Sequence, residues 1–224
     1  MKSRTLPRIL SWVVSLILPV ALVLTAVRIL LTPAFVVFEY NTPGFPADPY
    51  GFTKQQRLHW ANVALEYLLN SAGISFLGDL RFQDGQPLYN ERELKHMSDV
   101  KNVVRKALYV WYVSLVALLG LGIWSFADHW WPEFRRGLGR GGWLTVFLLG
   151  SIIIFVLLSF NMLFVAFHEV FFAAGTWTFQ YSDTLIRLFP ERFWQIAFLA
   201  IGLLSGGAGL LLGIFLSDRR FRSV

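Results

Sequence analysis

Four apolar runs, Ile9–Leu31, Ala107–Ala127, Trp143–Phe167 and Phe193–Leu216, decide what this chain can become. A helix of such length, rising about 1.5 Å per residue, crosses the roughly 30 Å hydrocarbon core of a bilayer. Within that core each backbone amide must be satisfied inside its own segment, which a helix does and an open strand does not. The expected fold is an all-α membrane protein with four transmembrane helices and a mostly helical extracytoplasmic insertion between spans 1 and 2. Composition agrees, since 55% apolar residues against 15% charged ones is too greasy for a soluble domain. The net charge of +6 would point to nucleic acid in a soluble chain, but here the basic residues bracket apolar runs, so no nucleic-acid partner is expected. There is no cysteine, and with it no disulfide frame, thiolate nucleophile or cysteine-based metal site.

The punctuation divides the chain into a first span at 9–32, an extracytoplasmic cap at 33–102, a second span at 103–127 and a cytoplasmic loop at 128–142. A third span at 143–168, a second extracytoplasmic loop at 169–192, a fourth span at 193–216 and a cytoplasmic tail at 217–224 follow. The first run is too long for a signal-peptide core and no small-x-small cleavage pattern follows it, so it is expected to be retained, with a kink at Pro19 and Arg28 snorkelling to the interface. In the cap, the prolines and glycines of Asn41–Gly51 exclude helix. Thr53 and Gln56 have the spacing of a capping box, opening a helix to about Ser71 with Leu58, Ala61, Leu65, Leu68 and Leu69 on one stripe and Gly73 as its stop. Asp84-Gly85 marks a tight turn, and Asn90 can cap a helix whose third residue is Glu93. The aromatic 169–192 loop, with Phe171, Phe172, Trp177, Phe179 and Tyr181, suits the headgroup layer. Gly202, Gly206, Gly209 and Gly213 give the fourth span small-xxx-small spacing, which allows close backbone approach.

Charge counting sets the orientation. The N-terminus, the 128–142 loop and the tail hold nine Lys/Arg against three acids, whereas 33–106 and 169–192 hold ten against eleven. Both termini are therefore expected in the cytoplasm and the cap outside. That arrangement brings two histidines to the same outer side. His96 sits in the charged stretch Tyr89–Lys101, and His168 ends the third span beside Glu169. Glu93 and Asp99 lie three residues either side of His96, the helical spacing at which a carboxylate can orient an imidazole and raise its basicity. Two imidazoles with such neighbours on one side are a candidate reaction centre, the alternatives being ordinary polar residues at helix ends and a solvated helix face. His129 falls on the inner side beside Trp130 and Trp131, and His59 flanks the apolar stripe of the cap helix, so both read as ordinary interfacial or surface residues. The chain contains no Gly-x-Ser-x-Gly elbow, no Gly-x-x-x-x-Gly-Lys loop and no His-Glu-x-x-His pair, which argues against serine hydrolases, ATP-driven enzymes and zincins.

The segments Tyr89–Lys101, with its His-Met-x-Asp-Val-Lys core, Phe167–Phe172, Trp177 and Phe189–Trp194 resemble those of the bacterial four-span lipoprotein intramolecular transacylases. The resemblance implies a bacterial plasma-membrane acyltransferase acting on diacylated lipoproteins. It moves the sn-2 acyl chain of the S-diacylglyceryl group to the α-amino group of the N-terminal cysteine, giving the lyso-form. It also implies His96 and His168 as the catalytic pair, with Asp99 or Glu93 supporting His96, no cofactor, no metal and membrane lipid as the surroundings. The chemistry is compatible: nucleophile and ester belong to one substrate molecule, so correct folding of the headgroup supplies effective molarity, and no covalent acyl-enzyme is needed. Which histidine serves as base, and which protonates the leaving glycerol oxygen or steadies the oxyanion, stays open at this level.

Two other readings remain. A pair of histidines in a four-helix membrane bundle can hold b-type haem for electron transfer, and the chain could be a non-catalytic membrane scaffold. His96 lies eleven residues before Ala107, about 16 Å along a continuous helix. Either reactive reading then needs a helix break near Val100–Arg105 or spans that project above the bilayer.

Overall fold

The computed structural model describes residues 5–217, with the side chains of 155–158 excepted. Lys2, Arg4, Arg219, Arg220 and Arg222, which enter the charge count, lie outside the described residues. The described chain forms eight helices: α1 (Thr5–Leu30), α2 (Pro33–Tyr40), α3 (Lys54–Leu69), α4 (Ser75–Gly78), α5 (Glu91–Ala127), α6 (Trp131–Phe171), α7 (Thr184–Leu188) and α8 (Glu191–Leu216). Four stretches, Thr5–Leu30, Glu91–Ala127, Trp131–Ile154 and Glu191–Leu216, are long and apolar enough to cross a membrane, so the all-helical membrane class is correct.

The chain divides into two compact units. The first combines residues up to Arg28, Leu108–Phe155 and the chain from Leu199 onward. Its helices meet through small residues. A Cβ placed on Gly137 would lie 2.6 Å from the Ser11 carbonyl oxygen, and one on Gly141 2.9 Å from that of Ser15, so the backbones of α6 and α1 touch. On the other side of α6, Gly142 packs against Gly209 and Gly213 of α8. Polar side chains add to the seam: Ser15 Oγ donates to the Gly137 carbonyl at 3.0 Å and Arg140 Nη2 donates to Ser11 Oγ at 2.6 Å. These contacts explain one departure from expectation. Residues 131–142 were expected within a polar loop, yet they are helical, because their glycines and Arg140 are partnered by neighbouring helices rather than by water.

The α5–α6 connection is short. The Trp130 amide donates to the Ser125 carbonyl at 2.9 Å and His129 adopts φ 59°, the left-handed residue that closes a helix C-terminus. His129 thus has a backbone role.

The second unit comprises Ile29–Ala107 and Val156–Phe198. Pro33 starts α2 at its first turn, where a missing amide hydrogen costs nothing. Thr53 and Gln56 form the reciprocal capping box of α3, and Asn90 and Glu93 do the same for α5 at 2.8 and 3.0 Å. α3 stops at Asn70, three residues before Gly73. Gly85, at φ 85°, turns the chain so that Arg81 and Pro87 make a single antiparallel bridge. Tyr67, Leu77, Leu88, Tyr89, Met97, Leu185 and Leu188 form the larger apolar cluster. α7 is clasped to the Asn41–Gly51 loop: Arg57 Nε donates to the Arg187 carbonyl at 2.8 Å, Arg57 Nη1 to the Pro46 carbonyl at 2.7 Å, and Arg187 pairs with Asp48 at 3.0 Å.

Two further observations concern the spans. α5 runs unbroken from Glu91 to Ala127, so the break considered near Val100–Arg105 is absent. The third span was expected as one helix over 143–168, whereas α6 is interrupted at Ser159 (φ −159°, ψ 88°), leaving Trp131–Ile154 and a shorter apolar helix at Ser159–Phe171.

Candidate active site

The second unit supplies both histidines. His96 stands in the second turn of α5, whose position is fixed by its neighbours in sequence. Met97 is buried in the apolar cluster, and the Lys101 ammonium, itself 5% exposed, donates to Asn70 Oδ1 at 3.0 Å and the Ala72 carbonyl at 2.7 Å while lying 3.9 Å over the Tyr67 ring. His168 comes from the last turns of α6. The two imidazoles pack nearly parallel, with centroids 6.1 Å apart and planes inclined by 19°. They are 8% and 9% exposed.

Aromatic rings enclose the pair. Phe172 lies 4.9 Å from His96 and 5.4 Å from His168, Phe179 lies 5.3 Å from His96, and Phe164 and Trp177 lie 4.0 and 4.8 Å from His168. The aromatics of 169–192, expected in the headgroup layer, therefore divide: Phe172, Trp177 and Phe179 build the site, while Tyr181 is 82% exposed. Alternation of ring-bearing residues in a loop carries no signal for which of them turn inward.

The hydrogen bonds at the two rings differ. His168 Nδ1–H donates to the Phe164 carbonyl at 2.7 Å; a carbonyl only accepts, so the neutral ring carries its proton on Nδ1 and presents a lone pair at Nε2. His96 Nδ1 is buried without a hydrogen-bond partner among the described residues. Burial, reinforced by the neighbouring His168, pushes His96 down to about 4, so this imidazole stays neutral at ordinary pH.

The carboxylates expected to orient His96 do other things. Glu93, 1% exposed, accepts from the Asn90 amide at 2.8 Å and the Leu185 amide at 2.7 Å, capping α5 and docking α7 onto it. Burial raises its pKa against the lowering effect of these two amides. Asp99 is half-buried on α5, and among the described residues neither carboxylate hydrogen-bonds to His96. His59 is exposed, edge-on to Trp60 at 4.6 Å, and stands apart from the pair.

Fold and site together define a multi-pass helical membrane protein with two mutually packed, desolvated imidazoles. Residues 12–194 match the family described as lipoprotein intramolecular transacylase Lit. The chain belongs to that family, and so to the membrane acyltransferases. An uncharacterized protein of Aquifex aeolicus (strain VF5) is 30% identical over 208 residues, 91% of each chain. The in meso structure of the membrane integral lipoprotein intramolecular transacylase Lit from Bacillus cereus has the same fold, with a TM-score of 0.81 at 23% identity over 99% of this chain and 100% of that one. Two structures of histidine variants of that protein give TM-scores of 0.72 at 23% identity over 94% of this chain.

Proposed function

We propose that this protein moves the sn-2 acyl chain of a lipoprotein's S-diacylglyceryl group onto the α-amino group of the same lipoprotein's N-terminal cysteine, and that His96 and His168 carry out the transfer. The observation that carries this reading is the buried, parallel imidazole pair, one ring of which has its tautomer fixed. The fixed tautomer favours His168 as the base. Its Nε2 lone pair takes a proton from the amine nitrogen as the new C–N bond forms and returns that proton to the glycerol oxygen as the C–O bond breaks. His96, held neutral down to about 4, is a poor sink for an α-ammonium proton, whose ordinary pKa is about 7.7–8.0. A neutral His96 instead hydrogen-bonds the substrate and leaves the transient His168 imidazolium without a second positive charge beside it. Ester plus amine gives amide plus alcohol without ATP or an acyl-enzyme.

Phe172 packs against both imidazoles and occupies space that a haem macrocycle between them would require, which disfavours the electron-carrier reading. The charge distribution supports both termini in the cytoplasm and the histidine pair on the extracytoplasmic side. In cells carrying His96→Ala or His168→Ala, mass spectra of a reporter lipoprotein's N-terminal peptide should show the diacylated form and no lyso-form. Full conversion by either variant overturns the proposal.

A further inference from the structure

We propose that the indole N–H of Trp177 donates a hydrogen bond to the substrate's ester carbonyl oxygen and holds the oxyanion that forms there. The inference rests on the histidine-pair reaction proposed above. Trp177 lies against His168, with ring centroids 4.8 Å apart and planes inclined by 37°. Its Nε1 is buried and finds no acceptor among the described residues. A buried indole N–H ordinarily has a partner, and leaving one unmatched is destabilising because its lost hydration is not replaced. Three other indoles are matched, those of Trp111, Trp143 and Trp194 donating to Thr25 Oγ1, Ser217 Oγ and the Phe189 carbonyl at 3.0, 3.1 and 3.1 Å, although Trp143 and Trp194 are themselves exposed. Trp130 is the other exception among the described residues, and it packs against Trp124 and Phe134 with no imidazole ring against it.

The backbone is built to deliver this indole. After α6, the Thr176 amide donates to the Ala173 carbonyl at 3.2 Å and Gly175 takes φ 79°, a turn that sends the chain back over His168. Two residues on, Phe179 packs against His96. The far end of the loop is held by the Gln180 amide donating to Asp183 Oδ2 at 2.9 Å and by Asn90 Nδ2 donating to Asp183 Oδ1 at 3.1 Å. An unmatched donor is thus held in place beside the ring that moves the proton.

During transfer, the amine nitrogen attacks the sn-2 carbonyl carbon and the C=O π pair moves onto oxygen, where the Trp177 N–H meets it. The pair then returns, the C–O bond to glycerol breaks, and the departing oxygen takes the proton that His168 received from the amine. A donor aimed at such an oxyanion contributes roughly a hundred- to a thousandfold in rate.

The decisive experiment replaces Trp177 with 3-benzothienylalanine, which keeps the ring shape and substitutes sulfur for N–H, in the full-length protein in proteoliposomes with a diacylated reporter lipoprotein. Trp177→Phe and His168→Ala run in parallel. The expected result for the benzothienyl protein is a kcat lower by roughly a hundredfold, KM close to wild type and an unchanged melting temperature. Trp177→Phe should lose at least as much. A benzothienyl protein that turns over at the wild-type rate, alongside an inactive His168→Ala, overturns the Trp177 role and leaves the histidine pair standing. An active His168→Ala overturns the parent reading and this inference with it.

Discussion

Glu39, on α2, is fully buried, and neither carboxylate oxygen finds a hydrogen-bond partner among the described residues. Burial raises its pKa, and the Arg192 guanidinium opposes that rise without cancelling it. A carboxyl that is harder to ionise in the folded chain contributes stability that is complete at low pH and is lost as pH rises through its folded value. Thermal unfolding in detergent of the wild type beside Glu39→Gln should therefore show the wild type losing stability relative to the variant as pH is raised from the ordinary carboxylate range toward pH 8. A difference between the two proteins that does not change with pH would sink this assignment. The His-Met-x-Asp-Val-Lys segment also separates at this scale. His96 faces His168, Met97 fills the core and Lys101 ties α5 to the end of α3, so most of what makes the segment distinctive is packing rather than chemistry.

Among the elements, α6 is the one most dependent on its neighbours. Gly142→Ala should cost about 1–3 kcal/mol, because a Cβ there would sit 2.7 Å from the Gly213 amide nitrogen on α8 and force the helices apart. Gly206→Ala, where nothing lies within 4 Å, should be neutral or stabilising by up to about 1 kcal/mol. Denaturation of the two proteins side by side checks both, and equal melting temperatures would sink the distinction. The four apolar helices, the caps at Thr53 and Asn90 and the turn at Gly85 could be read from the chain because each depends on residues close in sequence. The helicity of 131–142 could not, since glycine and arginine look like loop until a partner backbone is opposite them. Nor could the interruption at Ser159, since the one glycine of that apolar run, Gly150, lies nine residues before it and the run has no proline. At the site, helical spacing correctly placed Glu93 one turn from His96 but could not tell that its oxygens were already committed to two amides.

For the whole molecule, the proposed orientation is open to direct test because the chain has no cysteine. A single cysteine in place of Gln83, exposed in the 81–87 turn, should react in intact cells with a membrane-impermeant maleimide. One in place of Arg135, exposed on the first turns of α6, should react only after permeabilisation. The opposite pattern would invert the topology. The hydrogen bond from the Leu185 amide to Glu93 joins residues 92 positions apart, and the same long closure separates His96 from the loop that covers it. During synthesis, then, the two imidazoles have no shared pocket until the chain beyond the third span has been made and α7 has docked. A partly made protein carries both rings yet nothing that encloses them, so the proposed acyl transfer would wait for that closure.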